Sequence, residues 1–115
     1  MKPIDYDALN PGIRETVRML RDHDFDTCDS GDGETAEFEC DPGFPYVHMT
    51  VDPVRMIQEA DRLLEVMRPL VDFDREYQTD DEMMSAPGVE ASYHPKAGVA
   101  VLSLMNVRDR DWIKP

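Results

Sequence analysis

Two segments of the chain begin with an asparagine or aspartate followed by proline, and continue with apolar residues at helical spacing. Asn10 and Asp52 are residue types that cap helices, and the proline after each is favoured at the first helical position. We therefore predict one helix from Pro11 to about position 22 and another from Pro53 to about position 68. The first has a narrow apolar stripe and the second a wide one: Ile13, Val17 and Leu20, then Met56, Ile57, Ala60, Leu63, Leu64 and Met67.

Four further segments alternate between apolar and polar residues, which is typical of β-strands. They are residues 25–29, 46–51, 89–93 and 99–105, and a loop over 94–98 joins the last two. In the first strand we expect Phe25, Thr27 and Asp29 to share one face. The acidic segment 36–40 is compatible with another extended stretch, whereas 72–87 has no clear period and is predicted to form turns.

The predicted order of elements is helix, one or two strands, strand, helix, strand, strand. An α+β fold with two helices packed on one face of a four-stranded, mainly antiparallel sheet satisfies this order most simply. A ferredoxin-like fold or a related α/β sandwich has this form. We expect a single α/β domain over 1–115, in which 1–9 and 106–115 are peripheral termini. Such a sheet leaves edges and one open face, so a homodimer is also expected.

The chain is strongly acidic, with a net charge of −13. Ten carboxylates and no lysine or arginine fall between Asp22 and Val54. General nucleic-acid binding is disfavoured, because phosphate backbones require lysine and arginine. The charge suits solubility, a basic protein partner or a metal ion, and the sequence leaves these three open.

Cysteine content and hydropathy favour a cytoplasmic protein. Cys28 and Cys40 are too few for a disulfide framework. The first ten residues lack the basic and apolar regions of a signal peptide, and no apolar run approaches the ~20 residues of a membrane helix. We therefore expect reduced thiols and no membrane partner.

The most distinctive segment is a loop predicted over 29–35, which contains Asp29, Ser30, Gly31, Asp32 and Gly33. It follows a strand, where α/β folds often bind ligands. Its glycine spacing matches neither a P-loop nor a dinucleotide fingerprint, and Ser30 breaks the acidic alternation of a calcium loop. Three interpretations stay open: a surface turn, contact with a small polar ligand, and a hard cation held by the carboxylates.

A second candidate is the predicted open face of the sheet. His48 alternates with the apolar residues of its strand, so it lies on the face that the helices leave uncovered. Aromatic rings, hydroxyls and imidazoles suit stacking and hydrogen bonding with a ligand, although an ordinary half-solvated sheet face has the same composition. The residues expected on this face are Tyr46, His48, Thr50, Glu90, Ser92 and His94.

Arginine repeats at helical spacing beside the apolar stripe of the first helix, at Arg14, Arg18 and Arg21. A planar guanidinium suits phosphates and carboxylates, so Arg14 and Arg18 are candidates to contact a phosphate-bearing ligand. The alternative is pairing with neighbouring aspartate and glutamate on a solvated helix face.

A thiolate–imidazole metal site would combine Cys28, Cys40 and His48 with Asp29 or Asp41. The closely paired spacing of zinc ligands is absent, however, and free cysteines are often small buried apolar groups. The sequence therefore assigns no catalytic residue, no metal ligand and no cofactor.

Several short motifs stand in the N-terminal half: Asn10-Pro11-Gly12-Ile13-Arg14, Phe25 with Thr27, the run from Asp29 to Gly33, and Pro45-Tyr46-Val47. With them this half resembles small hypothetical proteins of bacteriophages and bacterial genomes, in which a glycine is expected where this chain has Asp24. The resemblance carries no catalytic residue across. It implies a phage accessory protein that acts by binding, either sequestering a host signalling nucleotide or blocking a host enzyme.

Three functional hypotheses follow, with binding favoured over catalysis. The first is a non-catalytic binding protein that sequesters a small polar or nucleotide-like ligand between the 29–33 loop and the open sheet face, with Arg14 and Arg18 near any phosphate. The second is an acidic interaction or inhibitor module that engages a basic host protein as a nucleic-acid mimic. The third is a metal-assisted hydrolase that uses Asp29, Asp32 and His48.

Overall fold

The computed structural model describes residues 3–34 and 43–113, which form three α-helices and four β-strands. Two helices are long enough to pack on the sheet, and the third is a short helix in the segment that joins the second helix to the third strand. In chain order the elements are α1 (Arg14–Asp22), β1 (Asp26–Gly31), β2 (Tyr46–Val51), α2 (Met56–Met67), α3 (Asp80–Met84), β3 (Gly88–His94) and β4 (Val99–Met105).

The four strands form one antiparallel sheet in the order β1-β2-β4-β3. The chain therefore repeats one pattern twice, a helix followed by a pair of antiparallel strands, and the two strand pairs join along β2 and β4. This is the strand order of a ferredoxin-like βαββαβ sheet whose first strand stands at the C-terminal end of the chain. The predicted α+β fold is confirmed.

The hydrophobic core lies between the two longer helices and one face of the sheet. Val47 pairs with Leu104 and Met49 with Leu102, so these four side chains share the face that the helices cover. Both helices contribute to the same buried cluster, which places them on the same side of the sheet. The buried apolar residues of α1 and α2 are Val17, Leu20, Leu63 and Met67.

Both predicted helices begin with a short 3-10 turn after the proline, at Pro11–Ile13 and Pro53–Arg55. The Asp52 carboxylate caps the second turn, accepting the backbone N–H of Val54 at 3.0 Å. Asn10 does not cap the first turn with its side chain. Its Oδ1 instead accepts the backbone N–H of Asp32 at 3.1 Å, so it ties the helix start to the end of β1.

A β-bulge changes the expected facing of β1. Thr27 pairs with Met49 on the helix side, but Asp29 pairs with His48 on the opposite face. The prediction that Thr27 and Asp29 share one face is therefore wrong, because Cys28 is an extra residue between them. The predicted loop also begins later than expected, since β1 continues to Gly31. The segment 36–40 lies outside the described residues.

The helix α3 lies in the segment that was predicted to form turns. Its N-cap is Thr79, whose hydroxyl accepts the backbone N–H of Glu82 at 3.1 Å. The Glu82 carboxylate accepts the backbone N–H of Gln78 at 3.0 Å. A threonine followed three positions later by glutamate is the sequence signal that would have found this helix.

Among the described residues, two other than glycine adopt positive φ: Asp24 (64°), two positions after α1, and Asn106 (63°), directly after β4. Asp24 is the position at which the resemblance places a glycine. The segments outside the main elements pack on the core through Ile4, Leu9 and Trp112, and Val107 is buried in it. In the described part of the chain, no helix is long and apolar enough to cross a membrane.

Candidate functional site

The face of the sheet opposite the helices, here called the outer face, carries the polar side chains that the sequence analysis grouped together. His48 pairs with Asp29 on one side and with Ser103 on the other, and Ser103 pairs in turn with Glu90. A row of four polar residues therefore crosses the whole sheet. The strand register brings all six predicted residues to this face: Tyr46, His48, Thr50, Glu90, Ser92 and His94.

The outer face carries two neighbouring aromatic rings at the start of β2. The rings of Tyr46 and His48 lie with their centroids 4.8 Å apart at an interplanar angle of 45°. The Tyr46 hydroxyl donates to the Asp29 carboxylate at 3.4 Å. At the edge strand the Ser92 hydroxyl and the His94 Nε2 lie 3.4 Å apart. These contacts present a ring surface beside a carboxylate, an arrangement that suits a cation with an apolar stem.

Gly31 leaves room for the Tyr46 ring in its present position. The two residues are cross-strand partners, and a Cβ added at Gly31 would lie 2.8 Å from the Tyr46 Cε1 atom. A ring that covers a glycine on a neighbouring strand replaces the packing that the glycine lacks. Gly31 thus shapes the outer face through close approach rather than through ligand contact.

The charged strand residues of the outer face are all negative. Asp26, Asp29 and Glu90 project from it, and none of its strand positions in the described ranges holds a lysine or an arginine. Carboxylates repel a phosphate and attract an ammonium or a guanidinium, and the attraction is screened over ~8 Å at physiological salt. The field of this face therefore selects cationic groups.

Asp32 lies inside the protein, with only 3% of its surface exposed. Its carboxylate accepts the backbone N–H of Gly12 at 3.3 Å and that of Glu34 at 2.9 Å. Its carbonyl oxygen accepts the Nε–H of Arg108 at 2.6 Å. Asp32 thus joins the turn before α1, the end of β1 and the segment after β4. These contacts give Asp32 a structural role in a turn, although the turn is buried at this residue and the expected turn was on the surface.

The rest of the predicted loop has the same structural character. The Ser30 amide donates to the Asp29 carboxylate at 2.9 Å, and Gly33 adopts a φ of 74°. A Cβ at Gly33 would lie 2.6 Å from the carbonyl carbon of Phe44, so only glycine fits there.

Arg14 and Arg18 lie on the helix side of the sheet, and the structure does not bring them to the outer face. Arg14 donates to the carbonyl oxygens of Leu9 at 3.1 Å and Asp7 at 2.9 Å. Arg18 lies over the Tyr6 ring, 4.3 Å from its centroid. Both arginines therefore hold the N-terminal segment against α1.

In the proposed metal site, the contact between Cys28 and His48 joins the thiol to the backbone of the histidine and not to its imidazole. The exposed Cys28 donates its S–H to the carbonyl oxygen of His48 at 3.5 Å. Cys40 and Asp41 lie outside the described residues. Within residues 3–34 and 43–113, no group of three or more histidines, cysteines, aspartates or glutamates is placed to hold a metal ion.

A cleft that the sequence analysis did not find lies at the other end of the molecule from the β3–β4 loop. Its volume is about 560 Å³, and segments from three parts of the chain form its walls. Asn106 fixes one wall, since its side-chain amide donates to the carbonyl oxygens of Met84 and Ala86. The charged and aromatic residues that line it are Phe44, Asp72, Arg75, Tyr77, Asp81, Glu82, Arg108 and Asp111.

Comparison of the chain with protein-family models, with curated proteins and with solved structures gave no match. The functional conclusion therefore depends on the geometry and charge of the outer face and of the cleft.

Proposed function

We propose that the protein is a non-catalytic binding module whose outer face engages a basic segment of a partner protein. The observation that carries this proposal is the charge of that face, where Asp29 lies beside the Tyr46–His48 ring pair, Glu90 lies two strands away, and none of the described strand positions contributes a lysine or arginine. A lysine or arginine of the partner would rest on the rings and reach Asp29, and a second basic residue would reach Glu90.

A nucleotide-like ligand is less well supported on this face. Its phosphates would meet the carboxylates of Asp26, Asp29 and Glu90, while the arginines expected to bind them lie across the sheet. Arg14 is also bound to two carbonyl oxygens of the N-terminal segment. A phosphate would have to displace those bonds before this guanidinium could hold it.

A metal-assisted hydrolase is also less well supported. That hypothesis requires Asp32 to act together with Asp29 and His48. The Asp32 carboxylate is buried and accepts backbone N–H groups on both of its oxygens. Both carboxylate oxygens of Asp32 therefore already accept hydrogen bonds within the protein.

The test is binding of a fluorescein-labelled, lysine- and arginine-rich peptide, followed by fluorescence anisotropy. The double variant Asp29→Lys, Glu90→Lys reverses the charge of the outer face and is expected to weaken binding by about tenfold or more. The matched control is Asp22→Lys, Asp61→Lys, which makes the same change of net charge at exposed sites on the two helices. It is expected to weaken binding by only about twofold, because those charges are screened from the outer face.

Two results would contradict the proposal. Equal losses in both double variants would mean that net charge alone attracts the peptide. Tight binding of ATP or a dinucleotide that survives in the control and is lost in the outer-face variant would reassign the face to a phosphate-bearing ligand.

The cleft supports a second candidate, a small polar ligand held at a different place. Its volume falls within the usual range for small-molecule sites, and Arg75 lies with its guanidinium 5.6 Å from the Tyr77 ring. Native mass spectrometry of the purified protein tests this candidate. A bound mass that is retained in Asp29→Lys and lost in Arg75→Ala would assign the ligand to the cleft, and its retention in Arg75→Ala would exclude that assignment.

A further inference from the structure

The two edges of the sheet differ in how they are protected. At β1 the bulge around Cys28 and the exposed Asp26 and Asp29 interrupt a regular edge. At β3 the register with β4 is continuous over seven residues, and the strand contains no proline, lysine or bulge. Proteins use bulges and edge charges to prevent strand pairing, so the β1 edge is the better protected of the two, because β3 has one carboxylate, Glu90, and no bulge. Among the described residues, no strand pairs with the free edge of β3.

We propose that β3 pairs antiparallel with β3 of a second copy of this chain, so that two sheets join into one of eight strands. The two-fold axis of this pair passes beside Ala91, which then lies opposite the partner's Ala91. In that register Val89 lies opposite the partner's Tyr93, and Glu90 lies opposite the partner's Ser92. An isologous pair of this kind is the commonest form of homodimer.

The side chains on the helix side of β3 are complementary to their own copy. Val89, Ala91 and Tyr93 pair with β4 residues that face the helices, so they lie on that side of the sheet. Tyr93 is nonetheless 52% exposed. The two-fold arrangement places each tyrosine against a valine, a favourable cross-strand pair of an aromatic and a β-branched residue.

On the outer face of the sheet, the same strand pairing avoids repulsion between carboxylates. Its one carboxylate, Glu90, lies opposite the partner's Ser92 and not opposite another glutamate. A register displaced by two positions, centred on Glu90, would place the two glutamates against each other. Like charges directly opposite destabilise a strand pair, so the register centred on Ala91 is favoured over the one centred on Glu90.

The helix α2 supplies a second apolar surface beside the same edge. Arg62 marks the side of α2 that faces α1, because it donates to the His23 carbonyl and lies 3.8 Å from the Phe25 ring centroid. Ile57 and Leu64 lie on the opposite side of the helix, toward β3. Ile57 is 75% exposed.

The geometry of the sheet brings two copies of α2 within packing distance. Each α2 lies over β3 and β4. With neighbouring strands about 4.8 Å apart, the two helices would lie about 10 Å from each other across the new strand pair. Helices pack at 8–10 Å, so Ile57 would meet the second helix instead of solvent.

The response to salt distinguishes dimerisation from the binding of a basic segment. Each chain carries a net charge of −13, so two copies repel each other and added salt strengthens their association. Binding of a basic peptide to the outer face weakens with salt. The two proposals therefore succeed or fail independently.

Sedimentation velocity of the full chain at up to about 100 µM, in about 0.05 and 0.5 M NaCl, measures the association. We expect a dimer whose dissociation constant falls at least severalfold at the higher salt. Ala91→Lys places two lysines against each other at the axis and is expected to raise the dissociation constant about a hundredfold. Gln58→Lys adds the same charge on the exposed side of α2 and is expected to leave the dimer intact.

A monomeric wild type at the highest concentration and salt would overturn the proposal. Dimerisation of Ala91→Lys at the wild-type affinity would overturn it as well. Circular dichroism of both lysine variants verifies that a loss of association is not a loss of fold.

A cysteine variant tests the register without adding charge. In a Cys28→Ser, Cys40→Ser background, Ala91→Cys places two thiols across the axis, close enough to form a disulfide under mild oxidation. We expect a covalent dimer on a non-reducing gel for Ala91→Cys and none for Gln58→Cys. A dimer that shows no Ala91→Cys crosslink would overturn the assigned register.

Discussion

The carboxylate of Asp109 caps α1 by accepting the backbone N–H of Thr16 at 2.7 Å, although it lies 93 positions further along the chain. It also accepts the Thr16 hydroxyl at 2.6 Å and the backbone N–H of Glu15 at 3.1 Å. The residue before α1, Ile13, has no side chain that caps it. The C-terminal segment thus satisfies helix N–H groups that a local serine or aspartate normally satisfies.

Replacing Asp109 with alanine is expected to lower the free energy of unfolding by about 1–2 kcal/mol, because helix N–H groups and the partly buried Thr16 hydroxyl lose their acceptor. Urea denaturation measures the loss. The control is Asp61→Ala, an exposed aspartate in the middle of α2, which is expected to leave the urea midpoint unchanged. An equal shift in both variants would mean that the loss reflects net charge and not the cap.

The variant Asp32→Ala is expected to lower the free energy of unfolding by about 2–3 kcal/mol, since it leaves the Gly12 amide without its buried acceptor. Asp32→Asn retains one acceptor oxygen and is expected to lose less. Chemical denaturation gives both values. A residue kept for ligand binding would behave oppositely, with alanine neutral or stabilising, and that outcome would restore Asp32 as a ligand-binding candidate.

Gly31 and Tyr46 are expected to show strong coupling in a double-mutant cycle. Gly31→Ala alone places a methyl group against the tyrosine ring and is expected to cost about 1–3 kcal/mol. In a Tyr46→Ala background the same change is expected to be neutral or slightly stabilising, because alanine suits a strand better than glycine. Thermal and urea unfolding of the four proteins give the coupling free energy, and equal costs in the two backgrounds would exclude the contact as the reason for the glycine.

Asp24 and Asn106, the non-glycine residues with positive φ in the described ranges, are expected to respond oppositely to substitution by glycine. Asp24→Gly relieves a left-handed backbone just after α1 and is expected to stabilise the protein by about 0.5–1 kcal/mol. Asn106→Gly relieves the same strain but removes the hydrogen bonds to Met84 and Ala86, and is expected to destabilise by about 1 kcal/mol. Differential scanning calorimetry separates the two, and a shared sign would mean that backbone strain or side-chain bonding dominates at both sites.

The fold class was predictable because its signals are local. The proline after Asn10 and after Asp52, the helical spacing behind each, and the alternation in β2 and β4 all report on neighbouring residues in the chain. The register that brings Glu90 to the same face as His48 followed from that alternation, since opposite residues in an antiparallel pair share a face.

The features that the sequence did not reveal depend on residues far apart in the chain. The bulge at Cys28 became visible only from the partners of Thr27 and Asp29 on β2. The Asp32 carboxylate looked like a candidate ligand because its partner Gly12 lies 20 positions earlier. The cleft joins three distant segments, so no local pattern indicates it.

The bulge at Cys28 also determines how many copies of the chain such strand pairing can join. When two β3 edges meet, both edges of the combined sheet are formed by β1 in the part of the chain that the structure describes. Each is interrupted by the bulge and by aspartates, so a third copy finds no regular strand to extend. In the proposed dimer, one extra residue in β1 would therefore help to keep the assembly finite. A chain without it would have only the aspartates to protect both ends of every pair, and would be closer to growing into a fibril.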